Sequence, residues 1–284
     1  MMKLLVCIDG SIYADSLCTH AAWVAKHLNA EIDLLHVLRR PSDYQAPTDH
    51  TGLMGLEARS HLMEELTRVD EERGRFDQKK GKYILEHGAK ILKEAGAKTI
   101  NLLHQRGSLV EAVQEYEDSV DIIFMGKRGE HADRSSLFLG SNLEKVARSI
   151  HKPLFISSTI VRPIKRFLIA YDGKDSVHKA INYIAEHSLL QKDLECHLLV
   201  VERVQGDIET SQAEQTLRKA GFSVLLTTEQ SHQADQVISS YVVNKKIDLL
   251  VTGAYSHSRM RSLLLGSTTA SLIKACKIPL LLFR

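Results

Sequence analysis

Short apolar runs alternate with amphipathic stretches along this chain, and each run ends in small or polar residues. Residues 3–8 form the first run, closed by Asp9-Gly10-Ser11; Leu17, Cys18, Ala21, Val24, Ala25 and Leu28 then recur at helical spacing. Residues 32–38 read as a second strand, and 39–51, with Pro41 and Pro47, as a loop. Residues 53–95 read as mostly helical, although Gly74, Gly81 and Gly88 weaken that helix, each by up to about 1 kcal/mol against alanine. Residues 99–104, 121–125 and 153–156 supply three further strands. Helices are expected at 109–117 behind Ser108 and around Leu143, Val146, Ala147 and Ile150, with 126–141 as a loop.

The pattern then starts again. Residues 166–171 end in Asp172-Gly173, and Val177, Ala180, Ile181, Ile184 and Ala185 mark the next amphipathic helix. Residues 197–201, 222–227, 247–252 and 278–283 match strands two to five. The chain is therefore an internal duplication. Asp9 and Asp172 lie 163 positions apart, Val37 and Val201 164, and Asp121 and Asp248 127, so the first copy carries about 36 extra residues within 39–96. Strands alternating with helices predict a parallel sheet with helices on both faces in each copy, the doubly wound α/β class. Ligands on such sheets bind beyond the carboxyl ends of the strands, where the strand order reverses. Asp9 and Asp172 end the first strand of each copy, and a glycine-bounded loop leaves the fourth.

Composition narrows the picture. The 284 residues suit two domains, expected at 1–158 and 164–284, and 44% apolar content is enough for two cores. A net charge of +2, from 37 basic and 35 acidic residues mixed along the chain, gives no reason to expect nucleic acid or a membrane as partner. Cys7, Cys18, Cys196 and Cys276 lie far apart in apolar patterns, which reads as reduced core thiols in a cytoplasmic protein. No apolar run approaches a membrane span or a signal peptide. The fourteen histidines show no metal-ligand spacing.

Two loops carry the candidate chemistry. The second copy reads Gly253-Ala-Tyr-Ser256, nine residues, then Gly266-Ser267, with Thr268 opening a helix; the first reads Gly126-Lys-Arg-Gly129, ten residues, then Gly140-Ser141. A glycine-bounded loop running into a helix start offers backbone N–H groups, hydroxyls and a positive dipole end to phosphate. Read without the duplication, each loop is equally an ordinary capped helix, and Asp9 and Asp172 are equally helix caps. Asp172-Gly-Lys-Asp-Ser176 also resembles the phosphate loop of pyrophosphate-forming ATP enzymes, but Tyr171 and Asp172 stand where that loop needs serine and glycine.

Over nearly its whole length the chain resembles the universal stress protein family in its tandem form, whose nucleotide-binding members carry G-x-x-G, nine residues, then G-S/T. That resemblance implies two copies of a five-stranded, adenine-nucleotide alpha-hydrolase-like domain, a flavodoxin-like sandwich. It implies ATP, ADP or AMP as ligand, with Mg2+ accompanying it, ribose contacts at Asp9 and Asp172, and main-chain contacts to adenine at Val37 and Val201. By the same resemblance, residues 153–156 and 278–283 are the edges through which the copies pair, and a homodimer is allowed. Each copy departs from the motif: Ser256 replaces a glycine in the second, and one extra residue would displace Gly140 and Ser141 in the first. The second copy is the favoured binder on this balance. Lys127, Arg128, Arg134, Arg259 and Arg261 are candidate phosphate contacts. No nucleophile with a base stands near the site, so the expected function is nucleotide-dependent interaction in a stress response, with at most slow ATP hydrolysis. The competing reading is a module that binds no nucleotide and serves dimerisation or docking alone.

Overall fold

The computed structural model describes residues 1–38, 56–130, 139–187, 189–190, 192–204, 206–254 and 266–284. The first copy contributes β1 (Lys3–Cys7), α1 (Ala14–Leu28), β2 (Glu31–Leu38), α2 (Leu56–Glu94), β3 (Ile100–Arg106), α3 (Leu109–Glu117), β4 (Ile122–Gly126), α4 (Ser141–Ser149) and β5 (Leu154–Ser157). The second contributes β6 (Arg166–Tyr171), α5 (Asp175–His187), β7 (Glu195–Glu202), α6 (Ser211–Lys219), β8 (Ser223–Gln230), α7 (Ala234–Asn244), β9 (Leu249–Gly253), α8 (Ser267–Ala275) and β10 (Leu280–Phe283).

All ten strands join one sheet in the order β3-β2-β1-β4-β5-β10-β9-β6-β7-β8. Each half is parallel within itself. The halves meet where β5 and β10 pair antiparallel, Leu280 with Ile156, Leu281 with Phe155 and Leu282 with Leu154. The fifth strands are thus the edges that pair, as the resemblance implied, and here they do so within one chain.

Alternation along the strands splits the core by face. Leu4, Val6 and Ile8 pack beneath α1 and α2, while Leu5 and Cys7 point to α3 and α4; both layers run unbroken across the seam into the second copy. At the seam Phe155 stacks on Phe124 at 4.7 Å between ring centroids. His20 on α1 places Nδ1 2.8 Å from Ser157 Oγ, and at the equivalent position Tyr183 on α5 donates to the Asp121 carbonyl oxygen at 3.3 Å. All four cysteines are buried free thiols. Among the described residues no helix is long and apolar enough to cross a membrane.

Most of the extra length of the first copy is helix. Its α2 spans 39 residues, about 58 Å at 1.5 Å per residue, where α6 of the second copy spans 9. The glycines do not break it: a Cβ on Gly81 would come within 2.5 Å of His104 Nε2 and 2.8 Å of His36 Nδ1. Gly81 lets α2 lie directly on β2 and β3, and that packing outweighs the intrinsic propensity. The hydrophobic pattern did not mark α6 and α7, which follow short or polar stretches.

Burial pushes the imidazoles of His20 and His36 down to about 4, so both are neutral in the fold at pH 7. An unfolded chain takes up protons at these sites below about 6.5, whereas the folded chain resists until about 4. Their contribution is present in full above pH 6.5 and is lost as pH falls towards 4, on the order of 3 kcal/mol for each. Thermal melts should show the midpoint falling steeply across that window. In His20→Gln the fall should be shallower, whatever the variant's stability at pH 7.

Candidate functional site

Strand order reverses between β1 and β4, where the chain leaves β1 for α1 and β4 for the loop to α4. Asp9 stands at this point. Its Oδ1 accepts from the Ser11 amide at 3.1 Å, turning the chain into α1, and its Oδ2 accepts from the Glu130 amide at 3.0 Å. One carboxylate therefore ties the end of the first strand to the loop that leaves the fourth. The helix-cap reading is only partly met: Tyr13 occupies the N-cap of α1, and the Asp9 bond stabilises the turn before it.

In the second copy Asp172 makes the same turn, accepting from the Lys174 amide at 3.2 Å, but its other oxygen pairs with Lys174 Nζ at 3.1 Å. Its charge is met by its own turn.

A cavity of about 420 Å³ opens at the carboxyl ends of β1, β2 and β4. All six candidate residues of the first copy line it: Asp9, Val37, Gly126, Gly129, Gly140 and Ser141. The amide of Ile8 donates to the Leu35 carbonyl at 2.9 Å, so Leu35 faces β1. By the two-residue period of a strand, the backbone polar groups of Val37 face the same side, past the end of β1 and into the crevice.

Opposite them, Gly140 caps α4, whose first residue is Ser141. The Gly140 amide donates to the Lys127 carbonyl at 3.2 Å, and the Gly266 amide donates to the Ala254 carbonyl at the same 3.2 Å. Both loops close through an equivalent backbone bond. The extra residue of the first copy is therefore taken up inside the loop, between Arg128 and Leu139, and does not displace Gly140 or Ser141. Gly140 is held as Gly266 is, while Ser256, the departure of the second copy, lies outside the described residues.

The motif glycines have a packing reason besides ligand approach. A Cβ on Gly126 would sit 2.8 Å from Tyr13 Cβ, and one on Gly253 would sit 2.2 Å from Ser176 Oγ, the residue equivalent to Tyr13. In each copy the glycine ending the fourth strand admits the first turn of the first helix. A Cβ on Gly129 would lie 3.1 Å from Asp9 Oδ2, and one on Gly140 would lie 3.2 Å from Arg128 Cα. Among the described residues the glycines with positive φ are Gly96, Gly107, Gly173, Gly206 and Gly221, so the first-copy motif glycines serve close approach.

In the second copy Asp172 follows β6, Val201 lies in β7, Gly253 ends β9, Gly266 caps α8, and Ser267 and Thr268 open that helix. Ser256, Arg259 and Arg261 lie outside the described residues, as does Arg134 of the first copy.

Among the basic candidates Arg128 lines the cavity, but Lys127 does not. Lys127 is buried at the seam, where Nζ donates to the carbonyl oxygen of Cys276, the C-cap of α8. A cation suits the negative end of that helix, and burial lowers the Lys127 ammonium to about 8. Its role is to hold the first loop against the second copy.

The motif did not point to α2, yet α2 completes the wall. Arg73, Asp77 and Lys80 line the same cavity, and Lys80 forms an ion pair with Glu130 of the loop. Positions 73, 77 and 80 share one helical face, which is the signal the sequence held. His36 also lines the cavity; it is buried, and Nδ1 has no hydrogen-bond partner among the described residues.

A sequence profile of the universal stress protein family matches residues 1–157 and 201–284. The chain belongs to the universal stress protein family. Its likeness to the universal stress protein Slr1230 of Synechocystis extends over the full length of both chains at 33% identity. Among solved structures, a universal stress protein from Archaeoglobus fulgidus superposes with a TM-score of 0.64 at 19% identity, covering 99% of this chain and 96% of its own. A structure described as a putative universal stress protein from Pseudomonas aeruginosa UCBPP-PA14 gives 0.62 at 16%, covering 100% and 93%. These likenesses extend the universal stress protein fold across the whole ten-stranded sheet.

If Gly253 is held by helix packing, Gly253→Ala should destabilise this universal stress protein by about 1–3 kcal/mol, as overpacking does. Adding Ser176→Gly, which removes the atom in the way, should recover most of that loss in urea unfolding. No recovery would refute the packing reading.

Proposed function

We propose that this chain binds an adenine nucleotide, ATP or its ADP and AMP relatives, in the first copy, residues 1–158, and acts in stress response through nucleotide-dependent interactions. The observation that carries the reading is the convergence of Asp9, Val37, Gly126, Gly129, Gly140 and Ser141 on one cavity at the strand-order reversal. Each offers chemistry that a nucleotide needs. The Val37 backbone reads an adenine edge without demanding a side chain, the Asp9 carboxylate accepts from ribose hydroxyls, and the start of α4 meets phosphate with amides, a hydroxyl and its dipole. Arg128, beside Gly140, adds positive charge at the phosphate end, while the charge of Lys80 is met by Glu130. Mg2+ would enter with the phosphates. The reading is of binding, with at most slow hydrolysis, and residues 164–284 serve as the paired second unit.

Ser141→Asp separates this reading from its rivals. An acidic residue in the first turn of α4 favours the helix by about 0.3–1 kcal/mol, so the fold is kept, while its charge repels phosphate. Titration calorimetry with ATP should show affinity falling at least tenfold for Ser141→Asp and unchanged for Ser267→Asp. The opposite result assigns the site to the second copy. No heat with ATP, ADP or AMP at millimolar concentration ends the nucleotide reading and leaves the interaction module.

A further inference from the structure

Among the described residues, helix α2 is anchored by its carboxyl-terminal half. Leu85, Ala89 and Leu92 are buried against the sheet, whereas every residue from Met63 to Arg73 is exposed. This amino-terminal half runs past the carboxyl end of β3: Gly81 lies over His104, and seven residues earlier a Cβ on Gly74 would meet only the guanidinium of Arg106, the last residue of that strand, at 3.9 Å. A helical segment exposed on all sides gains little from its own backbone hydrogen bonds in water, and such helices are held by packing on an apolar face. That face exists. Leu66, Val69, Phe76 and Tyr83 fall within one stripe, with Val69 55%, Phe76 66% and Tyr83 71% exposed.

The stripe ends in a groove of about 520 Å³ between α1 and α2, whose walls include Phe76, Tyr83, Ile84 and Lys79 and which adjoins the proposed nucleotide cavity at Asp9 and Lys80. Charge along the helix says what fits there. Residues 56–72 carry six acidic and two basic side chains, a net of −4; residues 73–85 carry five basic and one acidic, a net of +4. The acidic half presents Leu66 and Val69, and the basic half presents Phe76, Tyr83 and the groove. A second α2 laid antiparallel, with the two-fold axis near residue 73, sets each acidic half on the other's basic half and seats each Leu66 and Val69 toward the other's aromatic groove. The surface is complementary to itself, which is the condition for an isologous dimer.

We infer that a second copy of this chain docks on α2, the two helices pairing antiparallel through Leu66, Val69, Phe76 and Tyr83 with their opposed charges in register. The contact is separate from the β5–β10 seam, which is closed within each chain, and stands whether or not nucleotide binds. Sedimentation of the full-length protein at low salt should show a concentration-dependent dimer that weakens in 0.5 M salt. The double change Arg75→Glu with Lys79→Glu should raise the dimer dissociation constant at least tenfold, as should Glu65→Lys with Asp70→Lys. All four changes together should restore it, an outcome that loss of structure would not give. Phe76→Ser should dissociate the dimer with the thermal midpoint of the monomer unchanged, because the side chain is exposed there. A chain monomeric at 100 µM overturns the inference, whether residues 39–55 or another protein cover the stripe. So does a dimer indifferent to these changes, or one that the four-fold exchange does not restore.

Discussion

Everything in this molecule rests on the antiparallel pairing of β5 with β10. Two five-stranded parallel sheets each leave an open edge whose backbone groups invite another strand. Joining the edges satisfies both at once and makes one sheet of ten strands, so the apolar layers on its two faces become continuous. The pairing also sets where each copy's loops stand relative to the other. It brings the α8 carboxyl end over the first loop, where Lys127 reaches Cys276, and brings α5 against Asp121. A residue of the glycine-bounded loop is thereby used to join the copies.

Within that frame the duplicated halves have diverged in a directed way. Both retain the doubly wound order, the turn at the first aspartate and the backbone bond that closes the loop before the last helix. They differ in what surrounds the crevice. In the first copy Asp9 reaches across to the loop, and α2 adds Arg73, Asp77 and Lys80 to the wall; in the second Asp172 is met by Lys174 beside it. Among the described residues the first crevice is elaborated by a longer helix between strands two and three, 39 residues in α2 against 9 in α6. Because its far half projects beyond the sheet, that helix links the crevice wall to a surface available for another molecule.

The sequence by itself determined the duplication, the ten strands with their approximate bounds, the class of the sheet and the pairs of residues at the strand ends. These are local signals: apolar runs, helical spacing and small residues at turns repeat at fixed offsets because each half must bury its own faces. The tertiary structure alone decided which close approach each glycine serves, since Gly81 answers to His36 and His104, and Gly126 to Tyr13, partners remote or unmarked in the pattern. It also decided that the extra loop residue leaves Gly140 in place and that Lys127 turns away from the crevice. Those outcomes depend on what chain lies opposite after the sheet has closed, and a linear pattern of apolar and polar positions does not record what stands across a 3 Å gap.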